Sequence, residues 1–279
     1  MALRSAEFTL AQSLIAGSRI FGLIFIIGLG ACGIVLSYAL GFIVAVLAAF
    51  FFIRKLIPGY RTAIKVHKSI VSSMVRFSLG NYIGDTLKML PGLIIPVILV
   101  NALNPETSAY FYIAYMIASI LFMVSNSIGY SLLAENSLKS EWLRCQVIKT
   151  LILNLVIMLP AVLLLWFFGK DILSIFGTGY SSEAFPILWL LALASIPSGM
   201  NEIYVTVFRI EMKVKPIILM RTFAAISTIV TGYFLMRIMG LTGIGIAWLG
   251  SEIIAMLSVT PFVFNKLAGN ITYRSSITK

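Results

Sequence analysis

The sequence predicts an all-α fold, a polytopic transmembrane helical bundle of about eight spans with both termini in the cytoplasm. Three observations carry that prediction. Apolar runs long enough to cross a bilayer recur from the first residues to the last few. Hydrophobic residues make up 60% of the 279-residue chain and charged residues 11%, where a soluble domain carries about 25% charged. The mean hydropathy is accordingly +1.02. Finally, the basic residues alternate from gap to gap in the manner that a membrane imposes.

A span of the hydrocarbon core needs about 20 mainly apolar residues. Segments at roughly 8–29, 32–53, 74–101, 108–133, 147–168, 183–208, 217–238 and 242–264 meet that requirement. The first two are divided by GLGACG, residues 28–33. It spells the dinucleotide fingerprint G-x-G-x-x-G, but that chemistry requires a preceding strand and an acid about 20 residues later. Here the flanks are spans and the next acid after Glu7 is Asp85, so the stretch is read as a tight turn. RKLIPGYRTAIKVHKSIVSS, residues 54–73, separates the second and third spans. It is basic and mildly amphipathic, a linker suited to resting on anionic headgroups, and it holds the single histidine, His67. Asn104-Pro105 ends the third span, and Gly177-Thr178-Gly179 breaks the chain between the fifth and sixth. Ile172, Leu173, Ile175 and Phe176, just before that break, suggest a short interfacial helix. Glu183 and Pro186 suit the N-terminus of the sixth span. Pro216 opens the seventh, and the glycines at 240 and 243 separate it from the eighth.

Odd-numbered and even-numbered gaps face opposite sides, so the 21 Lys and Arg sort by side. One side collects Arg4, the residues from Arg54 to Arg76, Lys139 to Lys149, Arg209 to Arg221, and Lys266 to Lys279. The other holds Lys170 and Arg237, while Arg19 and Lys88 lie within spans. The positive-inside rule assigns the basic side, and with it both termini, to the cytoplasm. The net charge of +11 is therefore a topology signal and does not point to a nucleic-acid partner. Cys32 and Cys145 lie far apart and form no metal or disulfide framework. With one histidine and no nucleophile–base set, Walker A loop or H-E-x-x-H, the chain reads as a non-enzyme with no metal and no cofactor. Asn270-Ile271-Thr272 spells a glycosylation sequon on the side read as cytoplasmic.

Charges inside the spans carry the functional signal, because each costs about 2.5–3.5 kcal/mol at the bilayer centre and usually faces a bundle interior or aqueous cavity. They are Arg19 in the first span, Asp85 and Lys88 in the third, Glu202 beside Asn201 in the sixth, and Glu252 in the eighth. Asp85 lies about 16 Å along its helix from Met74, near the midplane. Asn81, Asp85 and Lys88, spaced by four and three, share one face. Two readings stand open for that face: Asp85 and Lys88 neutralise each other, or the stripe lines a central cavity. Glu202 is either interfacial or paired. Arg19 and Glu252 have no partner on their own helices. Pro91, Pro96, Pro186 and Pro197 allow bending near these charges or set static kinks.

The stretch VRFSLGNYIGDTLKMLPGLIIPVILVNALNPETSAYFYIAYMIASILFMVSNSIGYSLLAENS, residues 75–137, resembles the seventh and eighth helices of polysaccharide-transporter flippases. These belong to the multidrug/oligosaccharidyl-lipid/polysaccharide exporter superfamily. ILSIFGTGYSSEAFPILWLLALASIP, residues 172–197, resembles the same family's connection between its ninth and tenth helices. Members have two six-helix lobes joined by a basic cytoplasmic linker. The resemblance implies that residues 1–53 are the last two helices of a truncated first lobe lacking about four helices. Residues 54–73 become the linker, 74–264 the second lobe and 265–279 a cytoplasmic tail. It also implies a multi-pass protein of the cell membrane that moves a lipid-linked oligosaccharide between leaflets, on a polyprenyl phosphate carrier. Its partners would be that lipid-linked glycan, membrane lipids, and a separate chain supplying the missing helices. On this reading Arg19, Lys88 and Asn81 are the candidates for substrate binding. Asp85, Glu202 and Glu252 are the candidates for charge tuning or proton coupling. An ion-coupled antiporter of the same superfamily and a non-transporting remnant are the competing expectations.

Overall fold

The computed structural model describes residues 68–136 and 143–275, together with positions 36, 39 and 43. The chain divides into two units, Met1–His67 and Lys68–Lys279. In the first, Leu36, Ala39 and Ile43 are helical and exposed. The remainder of the two N-terminal spans, Arg19 included, lies outside the described residues.

The second unit is a bundle of helices: α1 (Lys68–Ala102), α2 (Pro105–Asn136), α3 (Leu143–Ser174), α4 (Thr178–Glu183), α5 (Phe185–Ile210), α6 (Val214–Met239) and α7 (Leu241–Ser275). All but α4 are long and apolar enough to cross a membrane, and no strand occurs among the described residues. α1 begins inside the segment read as linker, and α7 continues into the segment read as tail.

The helix ends follow local chemistry. Asn104 Oδ1 accepts from the Thr107 backbone N–H at 2.7 Å, which caps α2 ahead of Pro105 in its first turn. Gly240, with φ of 61°, closes α6 in the left-handed region that lacks a Cβ penalty. Between α5 and α6 the same job falls to Met212, whose φ is 57°. The Lys213 N–H reaches back to the Phe208 carbonyl at 2.9 Å and the Met212 N–H to Arg209 at 3.0 Å. The expected interfacial helix at 172–176 is not formed. Instead α3 runs unbroken through Leu173, which is fully buried, and Gly177 with φ of 133° makes the break. The short helix follows that glycine, at Thr178–Glu183. Leu173 has core neighbours in α5, so burial holds it on α3 more strongly than an interface would.

α5 is the centre of the bundle. It packs against α2, α3 and α7 and touches α4 and α6, while α1 packs on α6 and α2 and α6 on α7. In its most apolar 18-residue stretch 78% of residues are buried, against 17% to 44% in the other five spans. This most enclosed helix buries Ser195, Ser198, Asn201, Glu202, Thr206 and Arg209, whereas α3, the least enclosed, has the highest mean hydropathy. Lipid supplies no drive to bury hydrocarbon against hydrocarbon, so small and polar residues gather where helices meet. Gly199 shows the closeness: a Cβ there would stand 2.5 Å from the Asn154 amide and 2.7 Å from Ser125 Oγ.

Along α5 the core comes in layers. One apolar cluster joins Ile187, Leu188 and Leu191 to Phe111, Ile244 and Trp248. A second, nearer the basic end, joins Ile203 and Phe208 to Leu132, Val147, Ile217 and Val263. Between them on α5 lie Ser195, Ser198, Asn201 and Glu202, all buried. Polar groups thus occupy the middle depth of the bundle, with apolar packing on either side.

Candidate functional site

The polar layer is built around a carboxylate, Glu202 on α5, which is 4% exposed. Its Oε1 accepts from Lys88 Nζ on α1 and from Arg221 Nη2 on α6, forming salt bridges to both. Lys88 Nζ also donates to Asn126 Oδ1 on α2, so one amine ties three helices together. Arg221 is 2% exposed, and its Nε has no hydrogen-bond partner in the described residues. Next to this triad, Asn201 Nδ2 donates to Glu252 Oε2 at 2.7 Å and to the Glu252 carbonyl at 3.0 Å, which fixes α7 to α5. Glu252 forms no salt bridge among the described residues, and Asn201 Oδ1 stands without a donor.

One step toward the basic end lies a second pairing. Arg209 at the end of α5 donates through Nε to Asn81 Oδ1 at 2.9 Å and through Nη2 to Asp85 Oδ1 at 2.6 Å. The Tyr130 ring covers the guanidinium, 5.6 Å from centroid to Cζ. Arg209 is 7% exposed, whereas the Asp85 side chain is 47% exposed.

The stripe Asn81, Asp85 and Lys88 does share one face of α1, turned toward α5, with Lys88 also reaching α2. The pairing within it differs from the mutual neutralisation considered for Asp85 and Lys88. Asp85 holds Arg209 and Lys88 holds Glu202. The reason is burial: Glu202 has no water to solvate it, so it draws the long Lys88 arm across from α1, while Asp85 is satisfied by an arginine. Asn81 is occupied, accepting from Arg209 and donating to the Phe77 carbonyl at 2.9 Å. Glu202 is enclosed and not interfacial.

Arg209 and Arg221 were not among the residues singled out from the sequence. Their positions near span ends placed them with the basic residues of the cytoplasmic side, yet both are buried and paired. A signal was present. Arg209 follows Glu202 by seven residues, two turns along the same face, and Arg221 sits in the apolar run IILMRTFAA.

Asp85, Lys88, Asn126, Glu202 and Glu252 line a cleft of about 340 Å³. Tyr115, Phe122 and Trp248 line the same cleft, Tyr115 and Phe122 on the helix face that bears Asn126 and Trp248 one turn from Glu252. The Tyr115 and Trp248 rings are 5.4 Å apart, and Phe122 stacks on Trp248 at 6.3 Å. With Glu252 ionised, Arg209, Lys88 and Arg221 are balanced by Asp85, Glu202 and Glu252, and the charged layer is then neutral as a whole. A neutral, internally bonded set can persist at bilayer depth, where an unbalanced one is expelled or protonated. Among the described residues no group of His, Cys, Asp and Glu is placed to hold a metal ion.

Neither a family model nor a curated protein matches the sequence. Solved structures do resemble the fold. A lipid II flippase, MurJ, in an inward closed conformation, has a TM-score of 0.64 at 15% identity, over 90% of this chain and 56% of its own. A multidrug resistance MATE family transporter of the MOP superfamily, in an outward-facing conformation, gives 0.61 at 18% identity, over 70% and 45%. A MOP superfamily transporter from Pyrococcus furiosus gives 0.60 at 17%, over 70% and 45%. These neighbours are transporters and flippases, not enzymes. The chain spans about half the length of each. At these identities the likeness is one of fold alone, shared with two transporters of the MOP superfamily and a lipid II flippase.

Proposed function

We propose that the chain forms part of a flippase that carries a lipid-linked oligosaccharide or polysaccharide precursor across the cell membrane. The observation that supports it is the shared carboxylate. Glu202 is held by two cations, so Lys88 can leave it for the phosphate of an arriving carrier lipid while Arg221 keeps the acid compensated. Lys88 lines the cleft and Arg221 does not, which divides the two roles between contact and support. The aromatic wall of Tyr115, Phe122 and Trp248 offers faces on which sugar rings stack. Arg19 is the second proposed cation for the carrier phosphate. Asn81 contributes by fixing Arg209 and Asp85 at the mouth of the site, a positioning role. The lobe that closes the cleft is proposed to come from helices beyond the described bundle, including those of a separate chain.

The test is glycan export in a host lacking its own flippase. Expressed with the chain that supplies the missing helices, the parent sequence restores export, Lys88→Arg retains it, and Lys88→Ala with Arg19→Ala loses it. Intact export in that double variant overturns the substrate-contact assignment.

A second reading rests on Glu252, the enclosed acid that has an amide and no cation as its partner. Such a group is suited to bind and release a proton, as an ion-coupled antiporter requires. Proton-linked efflux that is lost in Glu252→Gln, with no glycan export by the parent chain, would favour this reading.

A further inference from the structure

A crevice separate from the ion-pair cleft runs between the basic-side ends of α2 and α3 and encloses about 430 Å³. Its lining is unusual for a flank that faces lipid. Ser127, Ser131 and Glu135 recur every four residues on α2 and are all exposed. Gln146, Lys149 and Thr150 face them from α3. The hydroxyls of Ser127 and Thr150 satisfy themselves on their own helices, donating to the Met123 carbonyl at 3.0 Å and the Gln146 carbonyl at 2.8 Å. Glu135, Lys149 and Gln146 do not. Glu135 and Lys149 form no ion pair or hydrogen bond among the described residues, with each other or with anything else. Gln146 Oε1 is buried and has no donor. An acid, a base and an orphaned carbonyl oxygen thus share one crevice, each lacking its complement. A buried acceptor without a donor costs about 1–3 kcal/mol, so the site is incomplete as it stands.

Depth and charge together define the missing ligand. Glu135 is in the last turn of α2, and Lys149 lies about 9 Å along α3 from its first residue, which is headgroup depth. Leu153 and Val124 continue the crevice as apolar surface toward the bilayer centre. We propose that the crevice binds the headgroup of a zwitterionic phospholipid bearing a primary amine, of the phosphatidylethanolamine type. Its ammonium donates to the Glu135 carboxylate and to Gln146 Oε1, its phosphate accepts from Lys149 Nζ, and its acyl chains run past Leu153 and Val124. An ammonium carries three N–H donors, enough for both acceptors. A choline headgroup has the same charge but no N–H, and it leaves Gln146 unsatisfied. An anionic glycerol headgroup satisfies Lys149 but sets its charge near Glu135.

The experiment is thermal unfolding of the purified full chain in detergent, with phosphatidylethanolamine, phosphatidylcholine or phosphatidylglycerol added. A lipid that binds the folded state raises Tm by mass action. Phosphatidylethanolamine should give the largest rise. Glu135→Gln combined with Lys149→Gln should abolish its advantage over the other two, with the lipid-free Tm little changed because neither side chain has a partner to lose among the described residues. Gln146→Leu keeps both charges and should reduce the phosphatidylethanolamine response to that of phosphatidylcholine, a readout that stands even if the double variant proves less stable. Equal shifts from all three lipids in the parent chain, or a phosphatidylethanolamine preference that survives both variants, would overturn the proposal. Neither result bears on glycan export.

Discussion

At the scale of single residues, Glu202 is where the bundle is most exposed to damage. Two cations converge on one of its oxygens, and all three groups are at least largely enclosed. Breaking a buried pair by removing one member costs about 3–5 kcal/mol, because the other charge is left without compensation. The three members are not equivalent, however. Glu202→Ala strands both Lys88 and Arg221, whereas Lys88→Ala leaves Glu202 with Arg221. Arg221→Ala leaves it with Lys88, which is nearer to water. Thermal unfolding of the purified variants should therefore rank Glu202→Ala as the most destabilised, by at least about 3 kcal/mol, and Lys88→Ala as the least. Equal losses for all three would show that Glu202 does not depend on two partners. The same chemistry decides what could be read in advance. Lys88, Asp85, Glu202 and Glu252 stood out because a charge in a long apolar run is anomalous. Arg209 and Arg221 did not, because a basic residue near a span end already has an explanation in membrane topology. Which acid Lys88 and Arg209 take depends on contacts between residues more than a hundred positions apart, and no local spacing encodes that.

At the scale of the helix, the spans were legible and their joints less so. The apolar runs and the breakers Asn104-Pro105, Gly177 and Gly240 locate the start of α2, the end of α3 and the start of α7 to within a few residues. The interfacial helix expected at 172–176 failed because Leu173 turns inward, and a short apolar run reads the same whether core or lipid covers it. Met212 was also invisible, since its left-handed backbone at the α5–α6 joint is normally announced by glycine. An L residue in that region carries about 1–2 kcal/mol of strain, partly offset by the greater chain entropy glycine would lose on folding. Met212 is 58% exposed and gives up little packing. Met212→Gly is therefore expected to raise stability by about 0.5–1 kcal/mol, seen as a higher unfolding midpoint, and a lowered midpoint would refute the strain. Gly199 makes the opposite case in the middle of α5. A methyl there meets Asn154, which is fully buried and cannot swing away. Gly199→Ala should cost about 1–3 kcal/mol through overpacking, where the same change at Gly250, with nothing near its Cβ position, should cost nothing measurable.

At the scale of the whole molecule, the arrangement follows from having lipid outside instead of water. The innermost helix carries the buried polar and charged residues, the least enclosed has the highest mean hydropathy, and the ion-pair layer lies between two apolar clusters. This organisation was legible as a class, because apolar length and basic-residue alternation are global properties of the chain. The order of the helices around α5 was not, since six similar spans can pack in many ways and periodicity alone does not choose among them. The alternation makes one prediction that tests the molecule as a unit. Cys145 is exposed in the first turn of α3, and Lys170 is exposed in its last two turns. They are separated by about 37 Å of helix, more than the roughly 30 Å hydrocarbon core, so the two ends must emerge on opposite sides. The basic residues put the Cys145 end in the cytoplasm. In intact cells carrying the chain with Cys32→Ser, a membrane-impermeant maleimide should leave Cys145 unlabelled until the cells are opened. With Cys145→Ser and Lys170→Cys added, the reagent should label the new thiol at once. The reverse pattern would invert the orientation. Labelling of both positions in intact cells would show that α3 does not cross the membrane, and the ion-pair layer would then have no claim to bilayer depth.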